Sequence, residues 1–155
     1  MAEASAHAGD KEFCLACVGR WEHGRGMAIS FSNSDGVHAP APSYHHVALV
    51  SGAGRRLVMS GQIGTRPDGS TPEDSAEQIE QALANLLTHL SAHGMGPGDI
   101  VKMTTFLTDP ALIPVLREKR SAAMQGAAPA STLLVVAGLA APQWVVEIEC
   151  EAFSV

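Results

Sequence analysis

The chain has 155 residues, 46% of them apolar and 5% aromatic, and 16 acidic against 10 basic side chains leave a net charge of −6. That length holds one well-buried core and falls short of two ordinary domains. The acidic balance repels phosphate backbones and anionic surfaces, and few aromatic platforms are present for stacking bases, so neither nucleic acid nor a membrane is expected as a partner. No stretch approaches the roughly 20 uninterrupted apolar residues of a membrane helix, and residues 1–26 are too charged for a signal peptide, which makes a soluble, cytoplasmic protein the expectation.

Residues 1–26 mix Ala, Gly, His and charge without a sustained period. They read as an accessory or non-native extension, with a single domain over 27–155. Three cysteines, Cys14, Cys17 and Cys150, cannot all pair with one another, which fits a reducing compartment. Cys14 and Cys17 with His7 or His23 would offer a tetrahedral zinc site, but a lone CxxC lacks the second ligand pair, and no metal is expected. From Met27 the character changes, with Ile29, Phe31 and a turn at 33–36, followed by a Pro-rich surface stretch at 39–42.

Patterning sharpens from Tyr44 onward. Residues 47–50 form a strand candidate, Gly52-Ala53-Gly54 its turn, and 56–59 the returning arm of a hairpin. After the turn at Pro67-Asp68-Gly69 comes a helix with Thr71 as N-cap and Pro72 at its first position. Ile79, Leu83, Leu86, Leu87 and Leu90 repeat at helical spacing, and Gly94 provides the stop. Val101, Met103, Thr105 and Leu107 alternate along a strand over 99–108. A second helix over 110–124 takes Pro114 in its first turn, and strands follow over 131–136 and 144–153. The order predicts a two-layer α+β domain, with one mixed sheet and both helices on one of its faces.

The last strand places Val146, Ile148, Cys150 and Ala152 on one face and Glu147, Glu149 and Glu151 on the other. Same-face neighbours lie about 7 Å apart, so exclusion of water would raise at least one carboxylate pKa and make a proton donor or acceptor. A solvated acidic face is the commoner arrangement. Residues 129–132, Pro-Ala-Ser-Thr, lead into the strand before it, where the Ser131 and Thr132 hydroxyls either bind a polar ligand or satisfy the backbone. Of His45 and His46, one faces inward at a strand start, either to move protons or as a packed histidine. Gln62 bonds backbone or ligand, and Asn85 reads as structural.

Several segments fall in a fixed order: 36–45 (GVHAPAPSYH), 60–64 (SGQIG), 81–86 (QALANL), 98–109 (GDIVKMTTFLTD), 129–132 (PAST) and 146–149 (VEIE). Together they resemble the Rid family, the YjgF-like reactive intermediate deaminases, over residues 36–155. The resemblance implies a chorismate-mutase-like fold, a homotrimer with clefts between subunits, and hydrolysis of small enamines and imines without metal or organic cofactor. It implies Glu147 as the residue that positions the attacking water and Tyr44 as a pocket residue. Ser131, Thr132, Gly61, Gln62 and His45 are expected around the same site. The family's carboxylate-binding Arg stands between the Pro and the Ser, and Ala130 occupies that place here. Loss of such a contact at a buried site costs about 2 to 5 kcal/mol, so activity on 2-imino acids is expected to be weak or lost unless Arg120 or a histidine substitutes. A non-catalytic binding or sensor role on the same fold is the alternative.

Overall fold

The computed structural model describes residues 28–35 and 39–155, so what is expected of residues 1–26, of the Cys14–Cys17 pair with His7 and His23, and of Met27 lies outside it. In chain order it contains β1 (Ala28–Ser32), β2 (Val47–Ser51), β3 (Arg55–Ile63), α1 (Ser75–Ala92), β4 (Ile100–Leu107), α2 (Ile113–Met124), β5 (Ala130–Val135) and β6 (Val146–Ser154). A four-stranded sheet runs in the order β3-β6-β4-β5. It is mixed, because β4 and β5 are parallel while β6 is antiparallel to both β3 and β4.

One face of this sheet is dry. Met59, Met103, Leu107, Val146, Ile148, Cys150 and Ala152 meet Ile79, Ala82, Leu83, Leu86 and Leu90 of α1 and Leu116 and Met124 of α2 in one core cluster. Both helices therefore lie on the same side, as the alternation of β6 and the helical stripe require. Leu86 and Ile79 are fully buried, and truncating either to alanine is expected to cost about 2 to 5 kcal/mol. Gln78, with Thr105 one of the two buried polar side chains among the described residues, is fully bonded: Nε2 donates to Pro72 O at 2.8 Å and Gln143 O at 2.9 Å, and Oε1 accepts from Val145 N at 3.1 Å. These bonds fasten the start of α1 to the approach to β6.

Three local expectations are corrected. β2 does not turn back onto β3; it pairs antiparallel with β1, Phe31 opposite Ala48, and this two-stranded ribbon is separate from the main sheet. β3 instead pairs with β6, Arg55 opposite Ser154, so its partner is remote in sequence. The helix over the 70s and 80s starts later than the Thr71-Pro72 signature suggests: Asp74 is the N-cap, its Oδ1 accepting from Glu77 N at 2.9 Å. Thr71 spends its hydroxyl on Thr65 Oγ1 at 3.1 Å. The second helix begins with a 3-10 turn at Pro110–Leu112 capped by Asp109, and ends where Gln125 and Gly126 take positive φ.

Candidate functional site

Alternation along β5 sends Ala130 and Ser131 to opposite sides of the sheet. Ser131 faces the helices and, with Tyr44, Ser43, Thr105, Leu133, Arg117 and Arg120, walls a pocket of about 270 Å3. Ala130 faces the open side, where it lines a different depression with Lys102, Arg56 and Glu151. Thr132 shares that open side and accepts a hydrogen bond from Lys102 Nζ at 2.6 Å. The place assigned to Ala130 from sequence is thus not beside Tyr44; the side chain that strand geometry delivers there is Ser131.

His45 holds this entrance together. It forms an isolated parallel bridge with Ala130, and its Nδ1–H donates to Ala128 O at 2.7 Å, since a carbonyl can only accept. Its ring stacks on Phe31 with centroids 5.4 Å apart, tying the β1–β2 ribbon to the mouth of β5. The neighbouring Tyr44 meets His46 edge-on at 5.7 Å. His45 is therefore the packed, hydrogen-bonded histidine of the pair, and it positions the segment that carries Tyr44.

Glu147 lies on the open side of β6, opposite Phe106 of β4 and Ile63 of β3. Its carboxyl arm rests on Gly61, where a Cβ would stand 2.6 Å from Glu147 Cγ and closer still to Oε1. A break in the β3–β6 register between Met59 and Gln62 opens the space for that arm. Gly61 thus acts on Glu147 by lacking a side chain. Gln62 turns to the backbone, Nε2 donating to Ser60 O at 3.0 Å. Asn85 is structural, its Nδ2 donating to Ile63 O at 3.0 Å and Thr65 O at 2.9 Å at the end of β3.

The other two glutamates of β6 diverge. Glu151 pairs with Arg56, Nε to Oε2 at 3.1 Å, while Glu149 is exposed. Within one chain, then, Glu147 and the Tyr44 pocket occupy opposite faces of the sheet and are not brought together. Sequence reasoning missed Arg117 and Thr105 as pocket residues. Arg117 sits one turn before Arg120 on α2, a spacing that marks a shared face once the helix is assigned. Among the described residues no cluster of His, Cys, Asp or Glu is built to hold a metal ion, and no helix is long and apolar enough to cross a membrane.

A family model described as endoribonuclease L-PSP matches residues 36–154. The chain belongs to that family, the YjgF/Rid proteins. Curated members similar to it include RutC family protein YjgH of Escherichia coli (strain K12), 38% identical over 66 residues, which are 43% of this chain and 50% of the relative. The 2-iminobutanoate/2-iminopropanoate deaminase of the same organism is 40% identical over 73 residues, 46% of this chain and 56% of the relative. The chain spans about half the length of the curated Rid relatives it matches. Among solved Rid structures, YyfB from Yersinia pestis superposes with a TM-score of 0.72 at 28% identity, covering 80% of this chain and 97% of that one. Escherichia coli TdcF with bound serine gives 0.60 at 27% identity, covering 82% and 98%.

Proposed function

We propose that this Rid protein is a deaminase-like hydrolase of small imines and enamines, working in clefts completed by neighbouring copies of the chain. The observation that carries the reading is the division of the site: a half-buried carboxylate seated on Gly61 on one face and a hydroxyl- and guanidinium-lined pocket on the other, in a family with curated deaminases. A second copy docked on the edge strand β5 would supply to one copy's pocket the Glu147 that its own sheet turns away. Leu133, Leu134 and Val135 of β5 are 38%, 44% and 47% exposed, an unpaired apolar edge that favours such docking. A homotrimer is the closed assembly this reading adopts.

Chemically, Glu147 takes a proton from water as the oxygen adds to the imine carbon and passes it to the nitrogen, then carries the hydroxyl proton of the tetrahedral carbinolamine to the amine as that intermediate collapses. The carbon–nitrogen bond breaks, ammonia leaves and a carbonyl compound remains. An enamine enters the same route after gaining a proton at carbon. Tyr44 and Ser131 offer hydroxyls to the substrate's polar atoms. The Glu147→Gln variant tests this: ammonia release from 2-iminobutanoate is expected to fall to background while sedimentation shows the same assembly as wild type. Unchanged turnover would overturn the assignment. Ligand-dependent thermal stabilisation without ammonia release from wild type would favour the binding-module alternative.

A further inference from the structure

Arg117 and Arg120 stand side by side along the wall of the Tyr44 pocket, and both also line the adjoining depression that contains Ser43 and Gly126. Three other basic side chains of the fold hold carboxylates, Arg56 with Glu151, Arg66 with Glu77 at 3.0 Å and Lys119 with Glu80 at 2.8 Å, while Lys102 and Arg55 donate to the hydroxyls of Thr132 and Ser154. Among the described residues no carboxylate pairs with either pocket arginine. Arg120 Nη2 donates to Ser43 O at 3.3 Å, a long bond, and Arg120 Nε is buried with no acceptor. Burial lowers the Arg120 pKa from its ordinary value, the expected effect of a cation taken from water without a counter-charge.

An unmet N–H on a partly buried cation costs free energy in the empty pocket, and an anion that accepts from it removes that cost. A guanidinium presents two parallel donors that match a carboxylate, whereas β5 contributes only the Ser131 hydroxyl and turns Ala130 away. We propose that Arg120, flanked by Arg117, is the carboxylate anchor of this pocket, supplied from α2 rather than from β5. The pocket then selects imines bearing an adjacent carboxylate, and the Tyr44 and Ser131 hydroxyls flank the reacting end. The imine part of this statement rests on the hydrolase reading above; the anchor does not.

The probe that separates the two is 2-oxobutanoate, the carbonyl product of 2-iminobutanoate, compared with its neutral amide, 2-oxobutanamide. Calorimetry on the full chain should show wild type binding the acid more tightly than the amide. Arg120→Gln should weaken acid binding about 10- to 100-fold, the effect of losing a charge-assisted pair, and leave the amide nearly unchanged. Arg120→Lys, which keeps the charge but not the fork, should fall between, and it carries the test should the Gln variant fail to fold by circular dichroism. The proposal is overturned if wild type binds the acid no better than the amide, or if both Arg120 variants bind the acid as wild type does. Preference for the acid that is lost in Arg120→Gln, with no ammonia release by wild type, would keep the anchor and remove the hydrolase.

Discussion

Adding one methyl group at Gly61 or at Gly64 should produce opposite phenotypes from neighbouring positions. At Gly64 a Cβ would stand 2.6 Å from Gln78 Cα, 2.8 Å from its carbonyl carbon and closer still to its carbonyl oxygen. Ordinary contact is about 3.5 to 4.0 Å, so α1 must withdraw by about 1 Å. That movement loosens the three hydrogen bonds of Gln78, each contributing about 1 kcal/mol, on top of about 1 to 3 kcal/mol for overpacking. Gly64→Ala is therefore expected to lose up to about 4 to 6 kcal/mol, lowering Tm by about 10 to 20 °C. At Gly61 the three atoms nearest the methyl all belong to the arm of Glu147, which can swing over the open face. Gly61→Ala should stay within about 1 kcal/mol of wild type, the cost of an altered rotamer, yet lose about 100-fold in kcat/KM because the carboxylate is displaced by about 1 Å. Urea unfolding and ammonia release measure the two quantities. A Gly64→Ala protein as stable as wild type, or a Gly61→Ala protein that is fully active, would refute the reasoning.

Other outcomes follow from the same geometry. Placing Arg at Ser131 in the Arg120→Gln background should restore binding of 2-oxobutanoate, whereas Ala130→Arg should not, because that side chain leaves on the other side of the sheet; equal rescue by both, measured by calorimetry, would contradict the strand orientation. Burial pushes the Cys150 thiol up to about 12, against about 8.5 in an unfolded chain. The unfolded state alone then loses its proton as pH rises, so this stability term is full below about pH 8 and declines by up to about 1.4 kcal/mol per unit from about pH 9 through 12. Urea titrations at pH 8 and 10.5 should show a smaller drop for Cys150→Ala than for wild type, and equal drops would count against it. Removing residues 1–26, which lack a periodic apolar face, should leave fold and assembly unchanged; an aggregated or dissociated truncation in sedimentation would show otherwise.

Much of the fold could be read from side-chain period alone. Val146, Ile148, Cys150 and Ala152 against Glu147, Glu149 and Glu151 leave one register for β6, and the Ile79 to Leu90 stripe leaves one buried face for α1. What escaped were choices between near-equal local options. Asp74 displaced Thr71 as cap because its carboxylate reaches Glu77 N while Thr71 bonds across the turn to Thr65. The strand at 47–51 had a nearby partner on either side, and β1 rather than β3 took it. The pocket was half legible: motif order pointed to Tyr44, Ser131 and Glu147, but not to the alternation that turns Ala130 and Ser131, named together from sequence, to opposite sides of the sheet. Spacing places Arg117 on the same face of α2 as Arg120, but only the helix packing shows that this face turns toward Tyr44.

The position of β6 has a kinetic consequence. It is one of the two inner strands of the main sheet, hydrogen-bonded to β3 on one side and β4 on the other, yet it follows every other strand in chain order. During synthesis the β3 and β4 edges must wait without their shared partner, and both helices wait over an incomplete floor. Closing Arg55 against Ser154 joins distant parts of the chain, a contact of high sequence separation that slows folding relative to local pairing. The apolar faces of Met59, Met103 and Leu107 are exposed to association with other chains over that interval. Folding as the chain leaves the ribosome is thus gated by a single late strand, and that strand also carries Glu147.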